Sequence, residues 1–170
     1  VTRACSVLEP VVKEDAIRKL FRPSHPRQEK LGRILVMSDA AHSLGAGYHG
    51  KKTGSLTDVT VFSFHAVKNL TTAEGGAIAL RLPAPFDHDE EYRTLNISGL
   101  HGQSKDALAK TRSGGWRYDV IEAGYKVNMT DIMAAIGSAL LEEYETMMQV
   151  RKRIFDRYTE AFKPYAWADI

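Results

Sequence analysis

A lysine and an aspartate each stand just beyond an apolar run of the sequence. Lys68 follows the run 59–64 by four residues, and Asp39 follows the run 34–37 by two. Pyridoxal phosphate chemistry needs a lysine that joins the aldehyde of the cofactor and then moves protons, and a carboxylate that keeps the pyridine nitrogen protonated. Because ligands of α/β proteins bind where strands end, this pair of residues predicts pyridoxal phosphate chemistry.

Two more residues extend this pair to a set of four. His42 comes three residues after Asp39, and Ser63 comes five residues before Lys68. An imidazole can cover the cofactor ring, and a hydroxyl can hold the cofactor phosphate. Each residue type also has an ordinary structural role, because aspartates cap turns, strand serines pack and lysines are usually solvated. From residue chemistry alone, both interpretations stay open.

Composition argues against several other classes of site. The 170 residues are 44% hydrophobic and 26% charged, which predicts one ordinary core, either a single domain or a large part of a bigger one. A net charge of +2, without an apolar run of membrane-spanning length, gives no indication of nucleic acid or membrane binding. The only cysteine, Cys5, excludes an internal disulfide, and a reducing cytoplasm is the simplest setting. The histidines lack metal-ligand spacing, so no metal site is predicted.

Apolar runs bounded by turn residues predict three strands, which cover residues 34–37, 59–64 and 77–82. The first is a continuous apolar run, as expected of a strand that is covered on both faces. Glycines are frequent over 40–58, so this segment is predicted to be a loop with a short strand pair near 48–52.

Helices are predicted over residues 13–21, over 87–96, and from 131 to the helix breaker Pro164 with a bend on the way. Thr130 is the predicted N-cap of the last helix. The basic stretch 22–33 is predicted to be an exposed connection, and the glycine-rich stretch 99–118 a long functional loop. Strands followed by long helices predict the α/β class.

Three segments resemble, in order, motifs of the DegT family of sugar aminotransferases: SDAAHSLGA at 38–46, FSFHAVKNLTTAEGG at 62–76 and GYKVNMTDIMAAIG at 124–137. Members of that family are fold-type I pyridoxal phosphate enzymes that act on nucleotide-linked keto sugars. The resemblance implies the central part of a fold-type I large domain, a mostly parallel sheet with helices on both faces. It also implies a partial cofactor-binding domain at residues 1–145, followed at 146–170 by a linker helix and the start of a truncated small domain.

The resemblance implies a role for each of the four residues. Asp39 would contact the pyridine nitrogen, and His42 would lie against the ring. Ser63 would bind the phosphate. Lys68 would be the catalytic Schiff-base lysine, which moves a proton between the substrate carbon and the cofactor carbon.

Two residues further along the chain are also implied. Asn128 resembles the family residue that reaches the cofactor phosphate of the neighbouring subunit, so a homodimer is implied for the whole enzyme. His101 lies in a loop that resembles one near the substrate, and it is predicted to contact the substrate.

The reaction implied by the resemblance belongs to amino sugar biosynthesis. Glutamate would give its amino group to the cofactor, and a nucleotide-linked keto sugar would then receive it. Family members are longer at both ends, which implies that this chain is the middle of an enzyme. A related pyridoxal phosphate sugar dehydratase is one alternative, although these relatives carry histidine in place of the lysine and Lys68 argues against it. An inactive binding or regulatory protein that keeps the fold is the alternative from another class.

Overall fold

The computed structural model describes residues 8, 10–105, 110–111, 113 and 116–168. Its strands are β1 Met37–Asp39, β2 Gly47–Tyr48, β3 Lys51–Lys52, β4 Val59–Ser63 and β5 Gly76–Leu80. Its helices are α1 Asp15–Leu20, α2 Pro26–Leu31, α3 His88–Gly99, α4 Asp131–Glu142 and α5 Tyr144–Phe162. Two helices, then five strands and then three longer helices confirm the predicted α/β class.

Strands β1, β4 and β5 form a three-stranded sheet in the order β1-β4-β5. The β1 and β4 strands run parallel with Asp39 opposite Val61, whereas β4 and β5 run antiparallel with Ser63 opposite Gly76. In the described part of the chain the sheet is therefore mixed, with one parallel and one antiparallel pairing. The predicted short strand pair is confirmed as the antiparallel strands β2 and β3.

The two faces of this sheet are covered to different degrees. Thr60 and Phe62 are buried on one face, where the segment 53–58 packs against them. On the opposite face Met37 and Ile78 remain 57% and 50% exposed. Met37 and Ile78 line an open groove there with Leu31 of α2 and Leu95 of α3, so the predicted cover of this face is incomplete in the described part of the chain.

The first strand also begins later than the sequence predicts. Residues 34–37 are predicted, but the strand spans Met37–Asp39. The reason is a side chain, since the Val36 N–H donates to Asp58 Oδ2 at 3.0 Å instead of to a neighbouring strand. A run of apolar residues predicts burial, but it does not show where a side-chain carboxylate, here that of Asp58, accepts a backbone N–H in place of a neighbouring strand.

A buried ion pair joins the entries of β1 and β4. Asp58 accepts two hydrogen bonds from Arg33, at 2.7 and 2.6 Å, and the two side chains are only 4% and 8% exposed. Burial opposes ionisation of Asp58, but the hydrogen bonds from Arg33 and from the Val36 N–H outweigh it and hold the pKa of this carboxyl below its ordinary value. The Asp58 carboxylate, which directly precedes β4, thereby holds the residues just before β1 in place beside the start of β4.

The stretch 22–33, predicted to be an exposed connection, is exposed over residues 22–30 but also contains helix α2, which the sequence does not predict. His25 caps the helix by accepting the Arg27 N–H at Nδ1, 3.2 Å away, and Pro26 occupies the first turn. Proline at this position starts a helix rather than breaking it. Gly32 ends the helix at φ 68, and Arg27 anchors it to α3 through Glu91 at 2.7 Å.

The remaining helices follow the predicted pattern. Asp87 caps α3 by accepting the N–H groups of Glu90 and Asp89, and these bonds keep the pKa of Asp87 below its usual value. Thr130 caps α4, as predicted, and the predicted bend is the break at Glu143 between α4 and α5. Part of the predicted loop 99–118 lies outside the described residues.

Candidate cofactor site

Two loops leave the carboxyl ends of the parallel strands β1 and β4. The histidine loop, residues 40–46, follows Asp39, whose Oδ1 accepts the Ala41 N–H at 3.1 Å. Its start is tied to the sheet because the Ala40 N–H donates to the Val61 carbonyl at 2.8 Å. Since β1 and β4 are parallel, their ends meet at the same sheet edge, which brings the loop that carries His42 next to β4.

The lysine loop, residues 64–75, connects β4 to the antiparallel strand β5. The Phe64 N–H donates to the Gly75 carbonyl at 2.8 Å, and the Thr72 N–H donates to the Phe64 carbonyl at 2.9 Å. Within the loop the Lys68 N–H donates to His65 O at 3.0 Å. The loop is therefore closed at its base, and Lys68 has a defined place near its tip.

The two loops meet through their predicted site residues. Lys68 Nζ lies 2.7 Å from His42 Nε2, across 26 residues of sequence. An ammonium group has only donors, so charged Lys68 donates to Nε2 and the ring proton of His42 then lies on Nδ1. The histidine thus holds the lysine head group at the mouth of the loop pair.

Ser63 belongs to the same cleft. Ser63, His42 and Lys68 line a cavity of about 60 Å³ together with Ala41 and Asn69. Ser63 Oγ accepts the His65 N–H at 3.3 Å and keeps its own hydroxyl proton for another acceptor. At roughly 30 Å³ per water molecule the cavity holds about two waters. A larger ligand would therefore extend beyond this cavity, and the residues named here would contact only one side of it.

The other two predicted residues lie elsewhere. Asn128 lines a separate groove of about 900 Å³ beside β5 and α3, and its Oδ1 contacts Lys126 Nζ. His101 has a φ of 57, and its N–H donates to the Tyr125 carbonyl at 2.8 Å. The structure thus brings His42, Ser63 and Lys68 together in a cavity whose lining does not include Asp39, and no hydrogen bond found among the described residues joins Asn128 or His101 to them.

Helix α5 contacts both loops. The Tyr144 hydroxyl donates to the Leu44 carbonyl of the histidine loop at 2.7 Å, and Arg151 Nη1 donates to Asn69 Oδ1 of the lysine loop at 2.9 Å. Burial raises the pKa of Tyr144, against the opposing effects of the Asn69 amide and the Arg151 guanidinium nearby. Sequence reasoning places Tyr144 and Arg151 on the helix and assigns no contact to them; their spacing of seven residues is the signal that could have paired them.

Gly45 is required where Tyr144 packs on the histidine loop. A Cβ atom at Gly45 would lie 2.6 Å from Tyr144 Cε1, closer than such contacts allow, and the residue has a φ of +79. Gly50 shares the left-handed backbone, with a φ of +75, but a Cβ there would meet nothing within 4 Å. Comparing substitutions at Gly45 and Gly50 therefore distinguishes the effect of the close contact with Tyr144 from the effect of the left-handed backbone.

We expect Gly45→Ala to destabilise the protein more than Gly50→Ala. The left-handed backbone costs both variants about 1–2 kcal/mol, and displacing the Tyr144 ring costs Gly45→Ala about 1–3 kcal/mol more. Urea unfolding of the complete gene product measures the difference. Equal losses in the two variants would contradict the contact between Gly45 and Tyr144.

Nowhere in the described ranges are three or more His, Cys, Asp or Glu side chains placed to hold a metal ion. None of the helices in those ranges has the length and apolar character to cross a membrane.

Comparison with known proteins identifies relatives of this loop pair. The model of the DegT/DnrJ/EryC1/StrS aminotransferase family matches residues 29–167. The Methanocaldococcus jannaschii protein MJ1066, which has no assigned function, is 46% identical over 131 residues, or 76% of this chain and 32% of that protein. The UDP-4-amino-4,6-dideoxy-N-acetyl-beta-L-altrosamine transaminase of Campylobacter jejuni is 34% identical over 130 residues, or 76% of this chain and 31% of that protein.

A solved structure has the same fold. The Streptococcus pneumoniae protein Spr1654, a proposed sugar aminotransferase solved in its PMP form, matches with a TM-score of 0.82 and 46% identity, over 93% of this chain and 39% of that chain. This likeness confirms the predicted fold-type I class. The chain spans about a third of the length of the curated relatives, 32% and 31% for the two named above. With residues 29–167 inside the family model, the chain belongs to the DegT/DnrJ/EryC1/StrS aminotransferase family.

Proposed function

We propose that this chain carries the cofactor-binding and catalytic lysine residues of a pyridoxal-phosphate-dependent sugar aminotransferase. The observation that carries the proposal is the meeting of Lys68 and His42 at 2.7 Å in a cleft that Ser63 also lines, with Asp39 at the end of the neighbouring strand β1. Family membership supports it, and so do the structures of Spr1654 in a PLP form and a PMP form.

The residues present fit this cofactor chemically. When bound, pyridoxal phosphate supplies a ring that accepts electrons from the reacting substrate carbon. Asp39 has one oxygen committed to the Ala41 N–H, and its exposed side chain leaves the other for the protonated pyridine nitrogen. The Ser63 hydroxyl is free to donate to a phosphate oxygen, and His42 presents an imidazole beside the lysine.

Lys68 is the proposed proton carrier. Its amine would take a proton from the substrate carbon and return it at the cofactor carbon, which is general acid–base catalysis by a positioned side chain. His42 accepts from Lys68 Nζ and so orients the amine, which in its neutral form keeps one hydrogen and its lone pair for the reacting atoms. Asp39 would keep the pyridine nitrogen protonated through direct charge pairing.

The proposed substrates are glutamate as the amino donor and a nucleotide-linked keto sugar as the acceptor. The Campylobacter jejuni relative, by its name, acts on a UDP-linked amino sugar, which supports this class. Asn128 lies in a groove apart from Lys68, and we propose that it serves the cofactor phosphate of the neighbouring subunit in a homodimer. His101 is the proposed substrate contact, and cytoplasm is the proposed location.

The proposed division of the chain follows the same model. Residues 1–145 would belong to the large, cofactor-binding domain, and residues 146–170 to the linker and the start of the small domain. The single helix α5, Tyr144–Phe162, crosses this boundary and would serve as the linker.

The decisive assay uses the complete gene product with pyridoxal phosphate, glutamate and a panel of nucleotide-linked keto sugars. We expect an absorbance band between about 330 and 430 nm on cofactor addition, because a lysine joined to the cofactor aldehyde absorbs there. We also expect 2-oxoglutarate and amino sugar in equal amounts, measured by mass spectrometry. Reactions without glutamate or without sugar are the controls.

Two outcomes would contradict the proposal in different ways. Loss of a sugar hydroxyl without amino sugar would indicate the related dehydratase. Absence of both the absorbance band and 2-oxoglutarate would indicate a protein that keeps the fold without the chemistry.

A further inference from the structure

One face of helix α5 reaches both loops of the cofactor site. Tyr144 and Arg151 are seven residues apart, which is two helical turns and a rise of about 10.5 Å, so their side chains leave the same side of the helix. Tyr144 contacts the histidine loop and Arg151 contacts the lysine loop. We infer that Asn69, Tyr144 and Arg151 are positioning residues that set the Lys68–His42 geometry, an inference that rests on the proposed aminotransferase function.

Arg151 acts on Lys68 through the next residue. Asn69 follows Lys68 directly, and its Oδ1 accepts the Arg151 guanidinium at 2.9 Å. Leu70, the residue after Asn69, is buried at 2% exposure, whereas Val67, just before the lysine, is 76% exposed. The tip of the lysine loop is thus held on its later side by Arg151 and Leu70, and this contact sets where the Lys68 backbone lies.

Tyr144 acts on His42 from the same helix. Its hydroxyl donates to the carbonyl of Leu44, two residues after His42, and its ring fills the space beside Gly45. Tyr144 is 5% exposed, so this contact is made in the interior and has a fixed geometry. The histidine loop therefore rests on the first turn of α5.

Asn69 connects the two contacts. Leu44, which accepts from the Tyr144 hydroxyl, and Asn69, which accepts from Arg151, line the same cavity as His42 and Lys68. The Asn69 amide and the Arg151 charge also act against the rise in the pKa of Tyr144 that burial causes. A shift of α5 would move Leu44 and Asn69 together, and with them the two partners of the 2.7 Å contact. Asn69 lines the cavity beside Lys68, whereas Tyr144 and Arg151 do not, so the effect of these two on the reaction passes through the histidine and lysine loops.

The test compares Arg151→Ala with Arg153→Ala in the complete gene product. Both variants remove one arginine from α5, and Arg153 is exposed and outside the cluster. We expect Arg151→Ala to lower kcat by about 10- to 100-fold, since misplacement by about 1 Å costs this much, while KM for glutamate changes less than about twofold. Arg153→Ala should match the wild type, and Arg151→Lys, which can still donate to Asn69 Oδ1, should recover part of kcat.

A second variant and a trapping measurement distinguish a loss of positioning from a loss of folded, cofactor-loaded protein. Tyr144→Phe keeps the ring and removes only the donor to Leu44, and it should also lower kcat with KM preserved. Borohydride reduction and peptide mass mapping give the fraction of Lys68 that carries cofactor, so kcat is counted per loaded site. Equal kcat per loaded site in Arg151→Ala and Arg153→Ala would overturn the inference. Absence of cofactor on Lys68 in the wild type would instead overturn the proposed function.

Discussion

Replacement of Lys68 by alanine is expected to lower amino transfer by at least about 10⁴-fold, because the variant loses both the group that joins the cofactor and the base that moves the proton. The absorbance band between about 330 and 430 nm should disappear with it. Steady-state formation of 2-oxoglutarate and the cofactor spectrum of the complete gene product measure the two effects.

Two further variants sharpen this prediction. Lys51→Ala removes a lysine with an exposed side chain in β3 and should leave amino transfer unchanged. Lys68→Arg keeps the positive charge but carries a guanidinium that stays protonated, so it should be as inactive as Lys68→Ala. Full activity in either Lys68 variant would show that another residue carries the chemistry.

Removal of the Asp58 carboxylate is expected to lower the free energy of unfolding by about 3–5 kcal/mol, the usual cost of leaving one member of a buried ion pair unpaired. Asp58→Ala strips Arg33 of two hydrogen bonds and the Val36 N–H of its acceptor. The matched control is Asp156→Ala, which breaks an exposed pair with Lys152 one helical turn away and should cost about 0.3–0.5 kcal/mol. Urea unfolding measures both, and similar losses would contradict a structural role for the buried pair.

The pH dependence of this loss has a defined sign. The pKa of Asp58 is lower in the folded protein than its ordinary value, so folding favours the charged carboxylate. Its contribution to stability is therefore present above the unfolded pKa of about 3.9 and is lost as pH falls through the lower folded pKa. The stability difference between the wild type and Asp58→Asn should accordingly shrink as the pH is lowered below about 4.

Strands whose ends are marked by local residues could be predicted from the sequence. The strand β4 lies at Val59–Ser63 where 59–64 is predicted, and β5 lies at Gly76–Leu80 where 77–82 is predicted. The strand β1 could not be bounded in this way because its start depends on Asp58, 22 residues from Val36. Helix α2 could not be predicted from the sequence, because the proline and the histidine cap at its start are more typical of a loop.

In the candidate site, too, the residues in local motifs could be predicted and the long-range contacts could not. The sequence predicts Asp39, His42, Ser63 and Lys68 as one group, and the structure brings the last three to one cleft, because short motifs at strand ends determine where they lie. The contacts of α5 join residues 100 and 82 positions apart, so no local pattern records them. Contacts at this range arise from packing, which depends on the whole of the folded chain.

The closed base of the lysine loop has a consequence for how the protein folds. The Phe64–Gly75 hydrogen bond and the antiparallel β4–β5 pairing join residues that are close in sequence, and closing a loop of about ten residues takes only about 10–100 ns. Contacts of such low order cost little chain entropy to form. We therefore expect the lysine loop to close before α5 docks, so that the contact with Arg151 adjusts the position of Lys68 in a loop that is already closed.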